Sequence, residues 1–183
     1  IMNDLPIDVH DPDHRLRLAY IDDVLSLMLS LISGGERYPQ VHPCYEVTLG
    51  ELAERLQTFH SGRNSRVVDA VGAGFTRALY ATYLSYKSPT DFCSALVKHT
   101  DPRGEFVEML KTRDSGQFSF FTAHPGVTRG GHYHHSKNEK FLVLRGKARF
   151  CFKHIVTGEA HTISTSGAVP EVVETVPGWS HDI

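Results

Sequence analysis

The sequence predicts two folds in succession: an α-rich region followed by an all-β domain of the barrel or jelly-roll type. From Glu105 onward, short alternating strands recur about every ten residues with turn residues between them, which is typical of such β folds. Before that point, apolar residues recur at helical spacing, most clearly between Val24 and Ile32. The chain has 183 residues, which is enough for two small domains. We therefore predict one domain over residues 1–88 and a second over residues 89–183.

The α-rich region opens with a strand and a helix. Residues 16–20 alternate between apolar and polar side chains, which predicts a short strand. Asp22 is placed to cap a helix that continues to Ile32. The Ser-Gly-Gly of residues 33–35 predicts its end.

A second strand and helix follow in the same region. Residues 45–47 predict a short strand, and Thr48 with Glu51 forms a capping-box pattern that opens a helix through Leu56. The rest of the region is a hydrophilic stretch, an apolar helix-compatible run and a helix-breaking Ser-Pro-Thr, at residues 61–66, 67–86 and 88–90.

The β domain is predicted from alternating runs and the turns between them. The predicted strands are residues 117–121, 141–144 and 148–152, and the predicted turns are residues 114–116 and 157–159.

Composition excludes several classes of partner. The hydrophobic fraction of 40% and the charged fraction of 22% are those of an ordinary globular protein. The net charge is −2, the pI is about 6.7, and no basic run is present. These values give no indication of a nucleic-acid or membrane-surface partner.

The cysteines and the absence of targeting signals predict a cytoplasmic protein. Cys44, Cys93 and Cys151 are odd in number and far apart, as expected of free thiols in a reducing compartment. The sequence shows no signal peptide and no apolar run near the length of a membrane span. Because the first residue is Ile and not Met, we expect the chain to be a piece of a longer protein.

A candidate metal site lies between Gly126 and Gly146. His132 and His134 are two residues apart, so on a strand both side chains point to the same face. Glu139 follows a short polar turn and precedes an apolar run, which brings a third ligand-type side chain into reach. Two imidazoles and one carboxylate suit Zn, Fe, Mn, Co or Ni better than Ca or Mg.

This stretch resembles the first motif of the cupin superfamily, G-x5-H-x-H-x4-E-x6-G, at every fixed position. The second cupin motif is similar to residues 177–182, which read P-G-W-S-H-D and place His181 as a fourth ligand. This second match is one residue tighter than usual, and the sequence stops before the Asn position. The resemblance implies a cupin jelly-roll barrel with metal ligands His132, His134, Glu139 and His181, and we expect this barrel to be truncated at its C-terminus.

The α-rich region resembles the C-terminal end of an extended short-chain dehydrogenase/reductase. The resemblance rests on Tyr-Ile-Asp-Asp-Val at residues 20–24, on the apolar helix, and on residues 45–52. Two further motifs are rejected as sites. Residues 72–77 begin like a dinucleotide fingerprint but carry Arg77 at its third position, and the Tyr83/Lys87 pair lies on the wrong side of residues 20–24 for a catalytic pair.

Together the two halves resemble the bifunctional capsule and O-antigen enzymes on the path to UDP-N-acetyl-L-fucosamine. In that family an NADPH-dependent reductase domain precedes a C-terminal zinc cupin. The resemblance implies that the cupin epimerises carbon 3 of a UDP-linked 4-keto-6-deoxy-N-acetylhexosamine and that the reductase then reduces the carbon-4 ketone. The nucleotide-binding half is absent here, so we expect no NADPH site in this chain. We expect a homodimer and a UDP-sugar substrate.

The predicted ligand set suits this chemistry. A divalent ion held by three neutral imidazoles and one carboxylate keeps a net charge of about +1, which stabilises the enolate formed next to a ketone. The candidates for moving the carbon-3 proton are His124, Lys137, Tyr133 and Asp182. Two alternatives stay open: a structural metal module for dimerisation and substrate binding, and a metal-dependent cupin dioxygenase with Fe or Ni.

Overall fold

The computed structural model describes residues 5–34 and 38–183. The chain divides into two compact units. The N-terminal unit comprises the described residues up to Val97 together with 107–120, and the C-terminal unit comprises 98–106 and 121–183. Residues 89–97 thus belong to the N-terminal unit. The domain boundary that the sequence predicts after residue 88 stays a prediction. None of the described helices has the length and apolar character needed to cross a membrane.

The N-terminal unit contains three helices and short strands. Its elements before residue 98 are β1 (Arg15–Ala19), α1 (Ile21–Ile32), β2 (Cys44–Thr48), α2 (Leu49–Ser65), β3 (Val67–Val68), α3 (Gly74–Ser85) and a 3₁₀ turn (Pro89–Asp91). β1 and β2 pair in antiparallel register. Phe59 of α2 packs edge-on against Tyr80 of α3, with ring centroids 5.0 Å apart.

The structure confirms the capping box and corrects three details of the predicted helices. Thr48 accepts a hydrogen bond from the backbone N–H of Glu51, and the Glu51 side chain accepts one from the N–H of Thr48. α2 continues to Ser65 and not to Leu56, because a hydrophilic sequence is compatible with an exposed helix face. Asp22 does not cap α1: it lies inside the first turn, where a carboxylate stabilises the helix dipole. The run 67–86 is split, since β3 precedes α3.

The remaining strands form the β part of the chain. They are β4 (Lys98–Asp101), β5 (Gly104–Thr112), β6 (Gln117–Phe121), β7 (Gly130–His132), β8 (Lys140–Leu142), β9 (Lys147–His154), β10 (Ala160–Ser166), β11 (Val172–Glu174) and β12 (Trp179–Asp182). In the C-terminal unit, one antiparallel sheet has the order β10-β9-β12-β7, and β11 pairs with β8 in a second. The predicted strands at 117–121 and 148–152 are confirmed. The turn predicted at 157–159 lies at residues 155–157, and the strand predicted at 141–144 ends earlier, at Leu142 of β8.

A small aromatic and aliphatic core holds the C-terminal unit together. Phe150 is 1% exposed and forms a buried cluster with Phe152 and Val173. Because Phe150 and Phe152 lie on β9 and Val173 lies on β11, the cluster joins the two sheets. Phe141 of β8 packs against it.

The predicted β character is confirmed, but the described strands do not close into a barrel. β8 and β11 have three residues each and bond only to each other among the described strands. Strands this short form too few hydrogen bonds to link the two sheets edge to edge. The closed jelly-roll barrel predicted from the sequence is therefore not seen in the described residues.

Candidate metal centre

The register between β7 and β12 brings two of the predicted ligands together. His132 lies directly opposite His181, so both side chains leave the sheet on the same face. Their ring centroids are 4.8 Å apart. His134 lies just beyond the end of β7, and its ring centroid is 5.0 Å from that of His132. The three imidazoles therefore surround one point.

Glu139 completes the cluster because Thr175 fixes its backbone. The Glu139 N–H donates to Thr175 Oγ1 at 2.9 Å, and the Thr175 N–H donates to the Glu139 carbonyl at 2.8 Å. Thr175 is 1% exposed. This anchoring leaves Glu139 Oε2 at 3.1 Å from His134 Nε2 and 3.3 Å from His181 Nε2.

The spacing of these donor atoms fits a small divalent ion. Ligands around a tetrahedral ion at zinc-like bond lengths are about 3.4 Å apart, which is close to both measured Nε2–Oε2 distances. One ligand atom each from His132, His134 and Glu139 lies within 4.8 Å of the other two. His181 adjoins this group of three through the contact of its Nε2 with Glu139 Oε2. Imidazole nitrogens with one carboxylate oxygen are the donors that zinc and neighbouring transition metals prefer.

The protonation states suit ligation. Burial raises the pKa of Glu139, but the hydrogen bond and charge of Lys137, together with His134, outweigh it and hold that pKa below its ordinary value. Burial lowers the pKa of His181, and His132 and His134 add to this effect against the opposing charge of Glu139. At neutral pH, Glu139 is therefore ionised and His181 is neutral, as metal ligands must be.

His181 is the most enclosed member of the cluster. It is 2% exposed, and the rings of Phe141 and Phe152 lie 6.0 Å and 6.4 Å from its ring. Its Nδ1 is buried without a hydrogen-bond partner among the described residues. Two Nε2 atoms, those of His134 and His181, face a single oxygen of Glu139. A cation between them would satisfy all three atoms at once.

The cluster is open to solvent on one side. His132 is exposed, and the side chains of His134 and Glu139 keep 23% and 21% of their accessibility. A catalytic metal site must let a substrate approach the ion, and the exposure on this side allows that approach. The geometry therefore permits a small molecule to reach the ligand atoms.

Of the four proton-transfer candidates, Lys137 is the one with a direct contact to a predicted ligand in the described structure. Its Nζ lies 2.7 Å from Glu139 Oε1, the oxygen that does not face the imidazoles. Tyr133 instead packs against His135, with ring centroids 5.1 Å apart. Asp182 follows His181 on β12 and lies near Gly131, and His124 is exposed in a turn. The contact of Lys137 favours a role in orienting Glu139, and proton transfer by any of the four stays a prediction.

The two rejected motifs lie at the two ends of helix α3. Residues 72–77 form the start of α3, whose N-cap is Ala73. Tyr83 is 7% exposed beside Phe59, and burial raises the pKa of its hydroxyl. Sequence reasoning missed Thr175, which anchors Glu139. Its position in an alternating run on the way to His181 gives no signal of this role.

Comparison with known proteins agrees with the family resemblance seen in the sequence. Residues 99–183 match the model of the polysaccharide biosynthesis C-terminal domain family. The whole chain is 54% identical over 186 aligned residues to the UDP-2-acetamido-2,6-beta-L-arabino-hexul-4-ose reductase of Pseudomonas aeruginosa. The alignment covers 100% of this chain and 50% of that protein, so the chain spans about half the length of this curated relative.

Solved structures lead to the same group of proteins. A crystal structure of CapF with the inhibitor 3-isopropenyl-tropolone has a TM-score of 0.92 at 38% identity, covering 99% of this chain and 54% of that one. The capsular polysaccharide assembling protein CapF from Staphylococcus aureus has a TM-score of 0.90 at 37% identity, covering 99% and 50%. The chain is thus related to an enzyme, as its sequence predicts. Residues 99–183 thus match a polysaccharide biosynthesis C-terminal domain, within a chain that is similar over its whole length to about half of a UDP-sugar reductase.

Proposed function

We propose that the C-terminal unit is a cupin-type zinc site that epimerises carbon 3 of a UDP-linked 4-keto-6-deoxy-N-acetylhexosamine, for capsule or O-antigen synthesis. The observation that carries the proposal is that one ligand atom each of His132, His134 and Glu139 lies within 4.8 Å of the other two, with His181 Nε2 at 3.3 Å from Glu139 Oε2. The name of the Pseudomonas relative supports the substrate class, because it describes a UDP-linked 2-acetamido sugar with a ketone at carbon 4.

The chemistry follows from the acidity of a proton next to a ketone. A divalent ion at the cluster would supply Lewis acidity for the oxygen that becomes negative when carbon 3 loses its proton. The chain's own residues set up this environment. Ionised Glu139 and neutral His181 present lone pairs, and Lys137 holds the outer oxygen of Glu139.

Proton removal and return at carbon 3 require a group on the open side of the cluster. Our candidates are His124, Lys137, Tyr133 and Asp182, each of which must reach the substrate and not merely line the site. In this proposal the reduction of carbon 4 with NADPH belongs to a reductase domain of the kind named in the relative, while residues 1–88 are its α-rich C-terminal remnant. We also propose that the protein is cytoplasmic and forms a homodimer.

The decisive experiment is exchange of the carbon-3 proton in deuterium oxide, followed by NMR. Zinc-loaded protein is expected to exchange that proton, and protein stripped by a chelator is expected not to. A folded, zinc-loaded protein that never exchanges it would contradict the proposal and would favour a structural metal module.

Substitution of one ligand tests the site assignment separately. His132→Ala is expected to lose both bound zinc, measured by elemental analysis, and exchange. His10→Ala is the control, because this imidazole is 89% exposed and lies in the N-terminal unit. If His132→Ala keeps its metal content and its exchange rate, the assignment is wrong.

A further inference from the structure

Arg129 is a largely buried arginine with no carboxylate oxygen within hydrogen-bond distance among the described residues. Its side chain is 15% exposed. Its Nε is buried and has no hydrogen-bond partner among the described residues, and its guanidinium lies 5.2 Å from the ring centroid of Phe121. A cation held away from water is costly unless charged acceptors satisfy its donors. The buried Nε of Arg129 is therefore an unused hydrogen-bond donor.

The carboxylate of Asp101, which lies near Arg129, forms its hydrogen bonds with Arg103. Asp101 Oδ1 lies 3.8 Å from Arg129 Nη2, which is beyond hydrogen-bond distance. Asp101 instead accepts three hydrogen bonds from Arg103, at 2.7 Å and 3.1 Å from the guanidinium and at 2.7 Å from the backbone N–H. The ion pair between Asp101 and Arg129 is therefore long and not hydrogen-bonded, so donors of the Arg129 guanidinium stay available to a further anion.

A β-bulge turns Arg129 toward the same face as the metal cluster. His132 pairs with His181 and Gly130 pairs with Asp182, so Gly131 is an extra residue in β7. Beyond the bulge, Arg129 and Ile183 exchange two backbone hydrogen bonds of 2.9 Å and 2.8 Å. Ile183 is two residues from His181 and packs on the core, so it shares the face of His181. Its partner Arg129 therefore shares that face as well.

Aromatic side chains connect the arginine to the cluster along this face. Phe121 beneath the guanidinium is 6.4 Å from Phe141, and Phe141 is 6.0 Å from His181, measured between ring centroids. Without the bulge, a spacing of three residues would place Arg129 and His132 on opposite faces. The bulge at Gly131 thus turns Arg129 to the face of the sheet that carries His132 and His181.

We infer that Arg129 binds the diphosphate of the nucleotide-linked substrate and so positions its sugar at the His132–His134–Glu139–His181 cluster. This inference rests on the proposed function, since it takes the substrate to be a nucleoside diphosphate sugar. The diphosphate carries that substrate's formal negative charges. A planar guanidinium is the side chain best suited to bind phosphate oxygens in pairs.

The test is calorimetric titration of the full chain with UDP and with uridine. Arg129→Gln is expected to weaken UDP binding by about tenfold to a hundredfold, the loss typical of a hydrogen-bonded charge pair, and to leave uridine binding unchanged. Arg149→Gln is the matched control, because Arg149 lies one residue from Phe150 on β9 and leaves the sheet on the other face. Zinc content is expected to be the same in all three proteins.

Two further measurements keep the inference open to refutation if Arg129→Gln does not fold. Arg129→Lys keeps the charge without the paired donors and is expected to bind UDP with intermediate affinity. In the unsubstituted chain, added salt is expected to weaken UDP binding and not uridine binding. Equal affinity for UDP and uridine, or unaltered UDP binding in the Arg129 variants, overturns the inference. Carbon-3 proton exchange tests the proposed function independently. If the Arg129→Gln variant still exchanges that proton and its KM for the UDP-sugar is unchanged, the proposed function is retained and the role of Arg129 is refuted.

Discussion

Gly130 shows at the scale of one residue how backbone conformation controls the candidate metal centre. Its φ of +107° is unfavourable for any residue with a Cβ. A Cβ placed there would also overlap the backbone carbonyl of His181 and lie 3.1 Å from the Cα of Asp182. The close approach of β7 to β12, which holds His132 opposite His181, therefore depends on this glycine.

We expect Gly130→Ala to lower the free energy of unfolding by about 1–3 kcal/mol, the cost of a strained backbone position, and to weaken zinc binding. The strands must separate locally, which moves His181 away from Glu139. Urea denaturation and a zinc titration measure the two effects. Gly72→Ala is the control, because an added Cβ there meets no atom within 4 Å. Unchanged zinc affinity in Gly130→Ala would show that the ligands do not depend on this approach.

Phe150 is the residue on which the packing of the C-terminal unit depends most. It is 1% exposed between β9 and the second sheet, and its ring centroid lies 5.6 Å from that of Phe141. We expect Phe150→Ala to lower the free energy of unfolding by about 3–5 kcal/mol, because it leaves a cavity in a small core. Phe118→Ala, at a position that is 61% exposed, is expected to change it by less than about 0.5 kcal/mol in urea denaturation. Similar losses for both variants would contradict this view of the core.

At the scale of the element, helix α2 shows which local features a sequence encodes. Its start is fixed by two side chains, Thr48 and Glu51, that satisfy free backbone N–H groups at the helix end. We expect Thr48→Ala to lower the free energy of unfolding by about 0.5–2 kcal/mol, measured by thermal or urea denaturation. Gln57→Ala, an exposed change within the same helix, serves as the control, and an equal loss there would argue against the cap.

The start of α2 could be predicted from sequence because a capping box acts through neighbouring residues, whereas its end could not. Polar residues at 61–65 resemble a loop, yet they are compatible with a helix face that is largely solvent-exposed. The helix ends where Arg66 adopts a left-handed conformation with φ of 63°, a change that no local motif announces.

The same contrast holds in the β domain. The spacing of His132 and His134 is a local pattern that predicts two neighbouring imidazoles, although His134 lies beyond the end of β7 and not on the strand. The bulge at Gly131 and the anchoring of Glu139 by Thr175 arise from pairing between strands that are distant in sequence. Neither those contacts nor the absence of a closed barrel in the described residues could be derived from spacing alone.

At the scale of the whole molecule, the candidate ligands all belong to one of the two compact units. His132, His134, Glu139 and His181 lie in the C-terminal unit, and the helices α1 to α3 lie in the N-terminal unit. Metal that binds only the folded state stabilises it by mass action, and this stabilisation acts on the segments that supply the ligands. Removal of the metal should therefore have unequal effects along the chain.

We expect a chelator to reduce amide hydrogen-exchange protection in β7 and β12 of the zinc-loaded chain, with little change in α2. The strands β7 and β12 hold His132 and His181 in register, and without a cation the Nε2 atoms of His134 and His181 share a single oxygen of Glu139. Local opening of these short strands then costs less free energy, whereas α2 keeps its cap and its packing of Phe59 against α3. Exchange followed by mass spectrometry resolves these segments, and protein reloaded with zinc is the control. Equal loss of protection in α2 and β12 would mean that the two units unfold as one and that the metal stabilises the entire chain.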